Sequence, residues 1–317
     1  MPAIGFGCAG HVRAAALVDG INAGYRLFDT AQATEWYLEE ELGAAIATSG
    51  VARSSLFITS KLHPRDLGEQ STLAAFPNSL RRLRTDYLDA FMLHYPRCFS
   101  ALCETEPEGG WRESWRALET LYDRGLVRAI GVCNFSPAEL NELIGFARIK
   151  PHLVQSWMDP LHQERPLRKM CAQHGVRFQA YSSLGTQHRT RINPVLHHPV
   201  LARISHELGR SVAQIVLRWA LQHNVSVIPR STKRKHIESN LQLDGFELSA
   251  EQMRAIDALD GSDPNGAVPS PPPKACADET DACESWAATG ECENNPGYMH
   301  MACAGSCGTC EKKKNEL

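Results

Sequence analysis

The chain has 317 residues, of which 43% are hydrophobic and 22% charged, with a formal net charge of −3. These values are typical of a globular protein with one α/β domain of ~250 residues and a small additional module. The small net charge gives no reason to expect nucleic acid or an anionic membrane as a partner, and no apolar run approaches the ~20 residues of a membrane-spanning helix.

Short apolar segments alternate with segments of helical period along most of the chain. The predicted strands are Pro2–Gly7, Tyr25–Ala31, Leu56–Leu62, Asp89–Tyr95, Arg128–Asn134, Leu153–Trp157, Val176–Ser182 and Val225–Arg230. The predicted helices include Leu38–Ala47, Trp115–Arg124, Ala138–Ala147 and Val212–His223. Eight strands alternating with helices predict an α/β protein with a (β/α)₈ TIM barrel. A doubly wound open sheet is the alternative, but no G-x-G-x-x-G follows the first strand.

The composition changes after residue 262, which we take as the end of the barrel domain. Residues 263–275 include Pro269-Ser270-Pro271-Pro272-Pro273, which predicts a stiff linker. Six cysteines follow within residues 276–310, namely Cys276, Cys283, Cys292, Cys303, Cys307 and Cys310. A segment this small buries little apolar surface, so we predict a disulfide framework. Zinc binding by the last three is the alternative, but ordered His ligands are missing, and we predict no metal site.

The remaining five cysteines, Cys8, Cys98, Cys103, Cys133 and Cys171, are predicted to be buried or partly buried thiols. Cys98 and Cys103 are close enough in sequence to form a disulfide, but spacing alone does not establish one.

The tail at residues 311–317 is basic and ends in Lys314-Asn315-Glu316-Leu317, which resembles the Lys-Asp-Glu-Leu retention signal. Disulfides persist in an oxidising compartment. We therefore expect the protein in the lumen of the endoplasmic reticulum, with the cytoplasm as the alternative. Residues 1–7 are not a signal peptide, so we expect the start of the chain to be incomplete.

Reactive side chains stand where predicted strands end. Asp29, Lys61 and His94 follow the second, third and fourth strands. The carboxyl ends of barrel strands meet at one face, where the active sites of such barrels lie. An acid, a base and an imidazole at successive strand ends predict a proton-transfer site.

At these positions the sequence resembles the aldo-keto reductase superfamily. The matching segments occur in family order and are Gly24–Ala31, Ile58–Leu62, Asp86–Asp89 with Leu93–Pro96, Ile130–Ser136, Ala180–Gly185 and Val227–Ser231. The resemblance implies reduction of a small-molecule carbonyl to an alcohol by hydride from a reduced nicotinamide, with a Tyr hydroxyl as proton donor. The β-hairpin with which the family begins has no counterpart here. We expect a monomer.

The resemblance assigns roles to the catalytic residues. Lys61, paired with Asp29, would lower the pKa of the Tyr, and His94 would orient the carbonyl. The family places the Tyr five residues after the Asp, where this chain has Thr34. Tyr37 is the only nearby phenol and is therefore our candidate.

Three aromatic residues are predicted to form the wall of the substrate pocket. Trp36 falls at the spacing of the family Tyr when counted back from Gly43, and Trp cannot donate a proton in this role. Phe99 and Trp111 lie in residues 97–112, the other predicted pocket loop.

The resemblance also implies a cofactor site formed by Cys133, Asn134, Gln155, Tyr181, Ser182, Leu184, Arg230, Ser231, Thr232, His236 and Asn240. Asn134 and Gln155 would bind the nicotinamide carboxamide, and Tyr181 would stack on the ring. Cys133 replaces a Ser of the family. Arg230 stands where the family usually has Lys and keeps its positive charge, so we predict NADP(H) rather than NAD(H).

Residues 276–310 resemble an ShKT domain, through Trp286, Gly290-Glu291-Cys292 and Cys307-Gly308-Thr309-Cys310 among other positions. The resemblance implies the pairs Cys276–Cys310, Cys283–Cys303 and Cys292–Cys307, and a module that binds a protein partner. An alternative function for the whole chain follows, in which a catalytically impaired barrel acts as a binding protein through this module.

Overall fold

The computed structural model describes residues 1–99, 102–188, 190–263 and Ala288. The chain divides into two units, Met1–Ala267 and Val268–Leu317. The predicted linker beyond Asp263, the six predicted disulfide cysteines and the tail at 311–317 lie outside the described residues. Within the described part of the chain, none of the helices has the length and apolar character needed to cross a bilayer.

Eight parallel strands form one sheet in chain order. They are β1 (Phe6–Gly7), β2 (Leu27–Asp29), β3 (Phe57–Leu62), β4 (Ala90–Leu93), β5 (Ile130–Cys133), β6 (Leu153–Trp157), β7 (Arg177–Tyr181) and β8 (Ser226–Val227). Each strand lies within one of the eight predicted segments, and most are shorter because only the paired residues count as strand. This topology, with helices between the strands, is that of the predicted (β/α)₈ barrel.

The sheet closes where the first and last strands meet. Ile4 pairs with Val227 in a parallel bridge, and the Gly7 amide donates to the Pro229 carbonyl at 3.1 Å. A Cβ atom on Gly7 would lie 2.7 Å from the Ile228 carbonyl oxygen, so glycine is required for this close approach. The closure brings Gly7 of β1 beside the residues that follow β8.

The described α-helices are α1 (Ala14–Ala23), α2 (Glu39–Thr48), α3 (Glu69–Leu83), α4 (Trp111–Asp123), α5 (Pro137–Phe146), α6 (Arg165–Gln173), α7 (Pro199–Leu208), α8 (Val212–Gln222), α9 (Arg234–Leu241) and α10 (Ala250–Asp257). Helix α5 begins as its sequence predicts, because Ser136 and Glu139 cap each other's backbone amides. Helix α4 begins at Trp111 rather than at Trp115. There the Glu113 side chain accepts a hydrogen bond from the Gly110 amide at 3.0 Å.

The five cysteines of the barrel are of two kinds. Cys98 and Cys103 form a disulfide in the loop between β4 and α4. Cys8, Cys133 and Cys171 are free and buried. The prediction of thiols was therefore wrong for Cys98 and Cys103, because their pairing depends on how the loop turns back on itself.

Candidate active site

A buried ion pair lies at the centre of the barrel's carboxyl end. Lys61 Nζ is 2.7 Å from Asp29 Oδ2 and donates to the Thr30 carbonyl at 3.0 Å. The Thr59 hydroxyl and the Gln155 amide donate to the other carboxylate oxygen at 2.7 and 2.8 Å. A buried ion pair is tolerated when its remaining donors and acceptors are bonded in this way. The network fixes the lysine ammonium group at the ends of β2 and β3.

The charge of Lys61 is maintained by its neighbour. Burial by itself would lower the pKa of Lys61, but the Asp29 carboxylate raises that pKa above its ordinary value, assisted by the facing Tyr37 phenol. Lys61 is therefore a positive charge at neutral pH, even though its side chain is fully buried.

Tyr37 lies beside this charge, in the loop between β2 and α2. The Lys61 ammonium nitrogen is 5.0 Å from the centroid of the Tyr37 ring, and the His94 ring is 5.9 Å away. Burial raises the pKa of Tyr37, and the Lys61 charge opposes that rise. Trp36 also contacts His94, with ring centroids 5.9 Å apart. The structure therefore places the phenol next to the lysine and the indole at the side of the imidazole.

His94 is a neutral imidazole with an unused polar atom. It is 5% exposed, and its Nδ1 is buried without a hydrogen-bond partner among the described residues. Burial, followed by the charge of Lys61, lowers the pKa of His94 well below its ordinary value. A neutral imidazole has one N–H donor and one acceptor nitrogen, and it is therefore suited to hydrogen-bond a substrate oxygen.

Asn134 and Tyr181 are bonded to each other on the opposite wall. The Tyr181 hydroxyl donates to Asn134 Oδ1 at 2.7 Å, and Asn134 Nδ2 donates to the His94 carbonyl at 3.0 Å. Asn134 has a φ of 61°, a left-handed conformation that Asn adopts more readily than most residues. This conformation directs the amide toward the ends of the neighbouring strands.

Gln155 is bound into the barrel interior. Its amide nitrogen donates to Asp29 and to Gln179 at 2.8 and 2.7 Å, and its oxygen accepts a bond from the Cys133 thiol at 3.5 Å. Burial raises the pKa of Cys133 to about 12. Gln155 thus orients the Asp29 carboxylate, a structural connection that the sequence did not indicate.

These side chains enclose a cavity of about 600 Å³ at the carboxyl end of the strands. The predicted residues that line it are Asp29, Trp36, Tyr37, His94, Phe99, Cys133, Asn134, Gln155, Tyr181, Ser182, Leu184 and Arg230. Further lining residues were not predicted, namely Gly7, Ala9, Gly10, Tyr95, Ser183, Thr186, Gln187, Ile228 and Pro229. Tyr95, Ser183 and Pro229 directly adjoin predicted residues in sequence, and that adjacency was the signal available for them.

Several predicted residues do not line the cavity. Trp111 is the first residue of α4 and is 8% exposed. It packs against Phe135 and against Phe146 of α5, with ring centroids 5.6 and 6.2 Å apart. The prediction that it forms the pocket wall is therefore not met, because an apolar residue at a helix start was better buried against α5. Lys61 is fully buried and does not line the cavity either. The others that do not line it follow β8 and are Ser231, Thr232, His236 and Asn240.

The residues present fit a nicotinamide cofactor. Such a group needs an aromatic surface for its ring, polar partners for its amide and a cation for its phosphates. Tyr181, Asn134 and the exposed Arg230 supply these in one cavity. Ser183 Oγ and His94 Nδ1, which belong to cavity-lining residues, are buried polar atoms without a described partner.

Comparison with known proteins shows the family. The profile of the aldo/keto reductase family matches residues 12–261. The chain belongs to this family. A second profile, described as ShK domain-like, matches residues 275–310, which confirms the predicted pairing of a barrel with an ShK-type module. An aldo/keto reductase barrel is an oxidoreductase that acts on carbonyl compounds.

Two relatives are similar to the chain over most of its length. The chain is 41% identical over 249 residues to a glyoxal reductase of Bacillus subtilis (strain 168), covering 78% of this chain and 84% of that protein. It is 37% identical over 278 residues to a 9,11-endoperoxide prostaglandin H2 reductase of Trypanosoma cruzi, covering 85% and 93%.

Among solved structures, an aldo/keto reductase from Brucella melitensis has a TM-score of 0.73 and 36% identity, covering 82% of this chain and 95% of that one. An aldo-keto reductase from Bombyx mori in complex with NADP has a TM-score of 0.75 and 28% identity, covering 82% and 90%.

Proposed function

We propose that the barrel reduces aldehydes and ketones to alcohols with NADPH, and that Tyr37 donates the proton. The observation that carries this proposal is the position of Tyr37, whose ring lies 5.0 Å from the Lys61 ammonium and 5.9 Å from the His94 ring. The same position gives no support to the alternative of an impaired barrel, because the phenol has not been displaced from the lysine.

Each residue has a defined task in this reaction. The reduced nicotinamide, when bound, supplies the hydride. Neutral His94 holds the carbonyl oxygen by a hydrogen bond, which places the oxygen near Tyr37. Tyr37 protonates that oxygen as negative charge develops on it. The Lys61 ammonium stabilises the resulting phenolate, and Asp29 keeps the ammonium in place.

The preference for NADPH rests on the segment that follows β8. Arg230 is exposed at the edge of the cavity, and Lys233, Arg234 and Lys235 follow it on the surface. A 2′-phosphate distinguishes NADPH from NADH, and a guanidinium group can bind it through two parallel hydrogen bonds. The NADP complex of the silkworm relative is consistent with this preference.

The proposal is tested by NADPH oxidation with 4-nitrobenzaldehyde, using the wild type, Tyr37→Phe and Tyr95→Phe. Tyr95 is the matched control because it also lines the cavity, and burial raises its pKa to about 12. We expect Tyr37→Phe to lower kcat by ~10²–10⁴-fold, the range for a general acid, and Tyr95→Phe to retain most activity. An inactive wild type that still binds NADPH would refute the enzymatic function. Loss of activity in Tyr95→Phe but not in Tyr37→Phe would identify Tyr95 as the proton donor.

We further propose residence in the lumen of the endoplasmic reticulum. The Lys314–Leu317 tail and the six cysteines of residues 276–310 support this location, as does the Cys98–Cys103 disulfide. The test replaces the last four residues in the full-length natural protein and follows secretion. Lumenal residence predicts secretion of the altered protein only, whereas an unchanged cytosolic distribution of both forms contradicts it.

For the ShK-like module we propose a protein-binding role. The test is proximity labelling in cells with the intact protein and with Cys283→Ser. A set of labelled proteins lost in the variant supports the role, and identical sets contradict it.

A further inference from the structure

We propose that His63 and Glu35 form a positioning pair that holds the catalytic loop against the end of β3. The catalytic loop is defined here as residues 30–38, between β2 and α2, and it carries Trp36 and Tyr37. The proposal rests on the proposed function, since its purpose is to place the Tyr37 hydroxyl for proton transfer. Neither residue contacts the Asp29–Lys61 pair through a hydrogen bond, so their effect is exerted through the loop.

The pair joins a fully buried side chain to a partly exposed one. His63 Nε2 lies 3.2 Å from Glu35 Oε1, and their side chains are 0% and 35% exposed. His63 follows β3 directly and is two residues after Lys61, while Glu35 is two residues before Tyr37. The bond therefore connects the segment that carries the lysine to the loop that carries the phenol.

The hydrogen bonds around His63 determine its tautomer. The Arg65 amide donates to His63 Nδ1 at 3.0 Å, so Nδ1 is an acceptor without a proton. The ring proton then resides on Nε2 and points to Glu35. Burial, followed by the charge of Arg65, lowers the pKa of His63, so the ring is neutral at pH 7. Burial raises the pKa of Glu35, but backbone and His63 hydrogen bonds outweigh it and lower that pKa overall.

The catalytic loop is held on its other side by the backbone that follows β1. The Trp36 carbonyl accepts hydrogen bonds from the Gly10 and His11 amides at 2.7 and 3.1 Å. Glu35 and Trp36 are adjacent, so the loop is fastened from two directions just before Tyr37. The Trp36 bonds fix its position relative to β1. On the β3 side, the Gln32 amide donates to the Lys61 carbonyl at 3.0 Å and the His63 amide donates to Gln32 Oε1 at 3.3 Å, and the Glu35–His63 bond adds the contact nearest to Tyr37 in sequence.

The position of the catalytic loop relative to β3 matters because the effect of the Lys61 charge on the pKa of Tyr37 falls with distance. The titratable groups that face Tyr37 are Lys61, Asp29, Cys133, Tyr95 and the neutral ring of His94. Lys61 is the one cation among them, and it favours the phenolate. A loop that moves away from β3 weakens this interaction, so the hydroxyl is both misplaced and less acidic.

The experiment compares His63→Phe and Glu35→Ala with the conservative variants His63→Gln and Glu35→Gln. Gln at position 63 keeps a donor near the place of Nε2, and Gln at position 35 keeps an acceptor. Glu207→Ala is the control, because it removes an exposed ion pair with Arg203 on α7. Rates are measured with NADPH and 4-nitrobenzaldehyde from pH 6 to about 11, so that the range extends above the ordinary tyrosine pKa of ~10.

We expect kcat to fall about 10–100-fold in His63→Phe and Glu35→Ala, since a misplacement of ~1 Å can cost about 10²-fold. The KM for NADPH should stay within about twofold. The basic limb of the pH profile should move to higher pH, because Tyr37 loses stabilisation of its phenolate. The two Gln variants should recover most of kcat, and Glu207→Ala should match the wild type. A purely structural loss of folded enzyme would lower kcat without moving the basic limb.

A second measurement does not depend on activity. Amide hydrogen exchange of the Trp36 and Tyr37 amides, which both donate to the Ala33 carbonyl, should be faster in His63→Phe and Glu35→Ala than in the wild type. If the wild type proves inactive, the proposed function fails and this exchange still decides whether the pair holds the loop. The proposal would be overturned if both variants exchanged these amides at the wild-type rate. It would also be overturned if the enzyme is active and the variants leave kcat and the basic limb unchanged.

Discussion

The two ends of the candidate site are built differently. At the ends of β2 and β3, Asp29 and Lys61 are buried and every contact of the carboxylate is a hydrogen bond or ion pair. After β8, Arg230 and Thr232 are exposed, and of the cations that follow, Arg234 pairs with Glu238 on the surface of α9. The first region is fixed before any substrate arrives, whereas the side chains of the second are exposed.

This difference follows from what each region has to do. Proton transfer requires a charge held at a set distance from the phenol, and a buried charge is tolerated only if it is fully bonded. Binding of a phosphate requires only accessible cations near a groove, which remain solvated until the ligand is present. Substitutions should therefore be costly in the first region, in both stability and rate, and should affect mainly affinity in the second.

The largest effect is expected for Lys61→Met. It leaves the Asp29 carboxylate buried without its cation, so the free energy of unfolding should fall by ~3–5 kcal/mol. The rate constant kcat should fall by ~10²–10⁴-fold, because Tyr37 loses the neighbouring charge. Urea denaturation and NADPH oxidation measure the two effects. Lys169→Met, at an exposed position on α6, is the control and should stay within ~0.5 kcal/mol of the wild type. Equal stability of both variants would contradict the buried ion pair.

The next effect is a loss of stability in acid. Burial keeps the pKa of His94 well below its ordinary value in the folded protein, so the unfolded chain binds the proton first as the pH falls below ~6.5. The free energy of unfolding should then decrease by up to ~1.4 kcal/mol per pH unit for each such group. Urea denaturation at pH 7, 6 and 5 should show a smaller decrease for His94→Phe than for the wild type. His174→Phe, at an exposed position, should keep the wild-type slope. Equal slopes for all three proteins would show that His94 is not buried as a neutral ring.

A smaller effect, confined to affinity, is expected for Arg230→Met. Loss of one charged hydrogen-bonding group should raise the KM for NADPH about 10-fold and leave the KM for NADH within about twofold. Steady-state kinetics with both cofactors provide the test, with Arg148→Met as a surface control that should change neither value. An equal rise in KM for both cofactors would show that Arg230 contacts the pyrophosphate, which both cofactors share, and not the 2′-phosphate.

The smallest effect concerns the Cys98–Cys103 disulfide. The bridged segment carries Phe99, which lines the cavity. The double variant Cys98→Ser/Cys103→Ser should raise the KM for an aromatic aldehyde about two- to fivefold, because ordering one side chain costs ~0.5–1.5 kcal/mol on binding. The KM for NADPH serves as the internal control and should not change. If Phe99→Ala alone gives no rise for the same aldehyde, the segment does not contact the substrate.

Much of the fold could be predicted from the sequence. Each strand is a short apolar run, and strand order in a barrel follows chain order, so Asp29, Lys61 and His94 were expected at one face without any coordinates. The roles of these residues and the choice of Tyr37 remain predictions until the variants are measured. Cofactor residues close to a strand end, such as Asn134 and Tyr181, also lie in the cavity, because the backbone has little freedom there.

Predictions failed where long-range packing decides. Trp111 was expected in a loop, but it is the first residue of α4 and packs against Phe146 of α5. Cys98 and Cys103 were expected to be thiols, although their separation in sequence permitted a disulfide. In both cases the residue type did not indicate the outcome, because the contact depends on another part of the chain or on how the loop turns.

The sequence by itself determined the eight-stranded alternation, the reactive residues at three strand ends and the change of composition that precedes the cysteine-rich module. These features are local, since apolar periodicity and residue type are read over a few neighbouring positions. Only the tertiary structure decided which aromatic side chain of the catalytic loop stands beside Lys61. Trp36 and Tyr37 are adjacent in sequence, and hydrogen bonds from Gly10, His11 and His63, all distant along the chain, orient the loop that carries them.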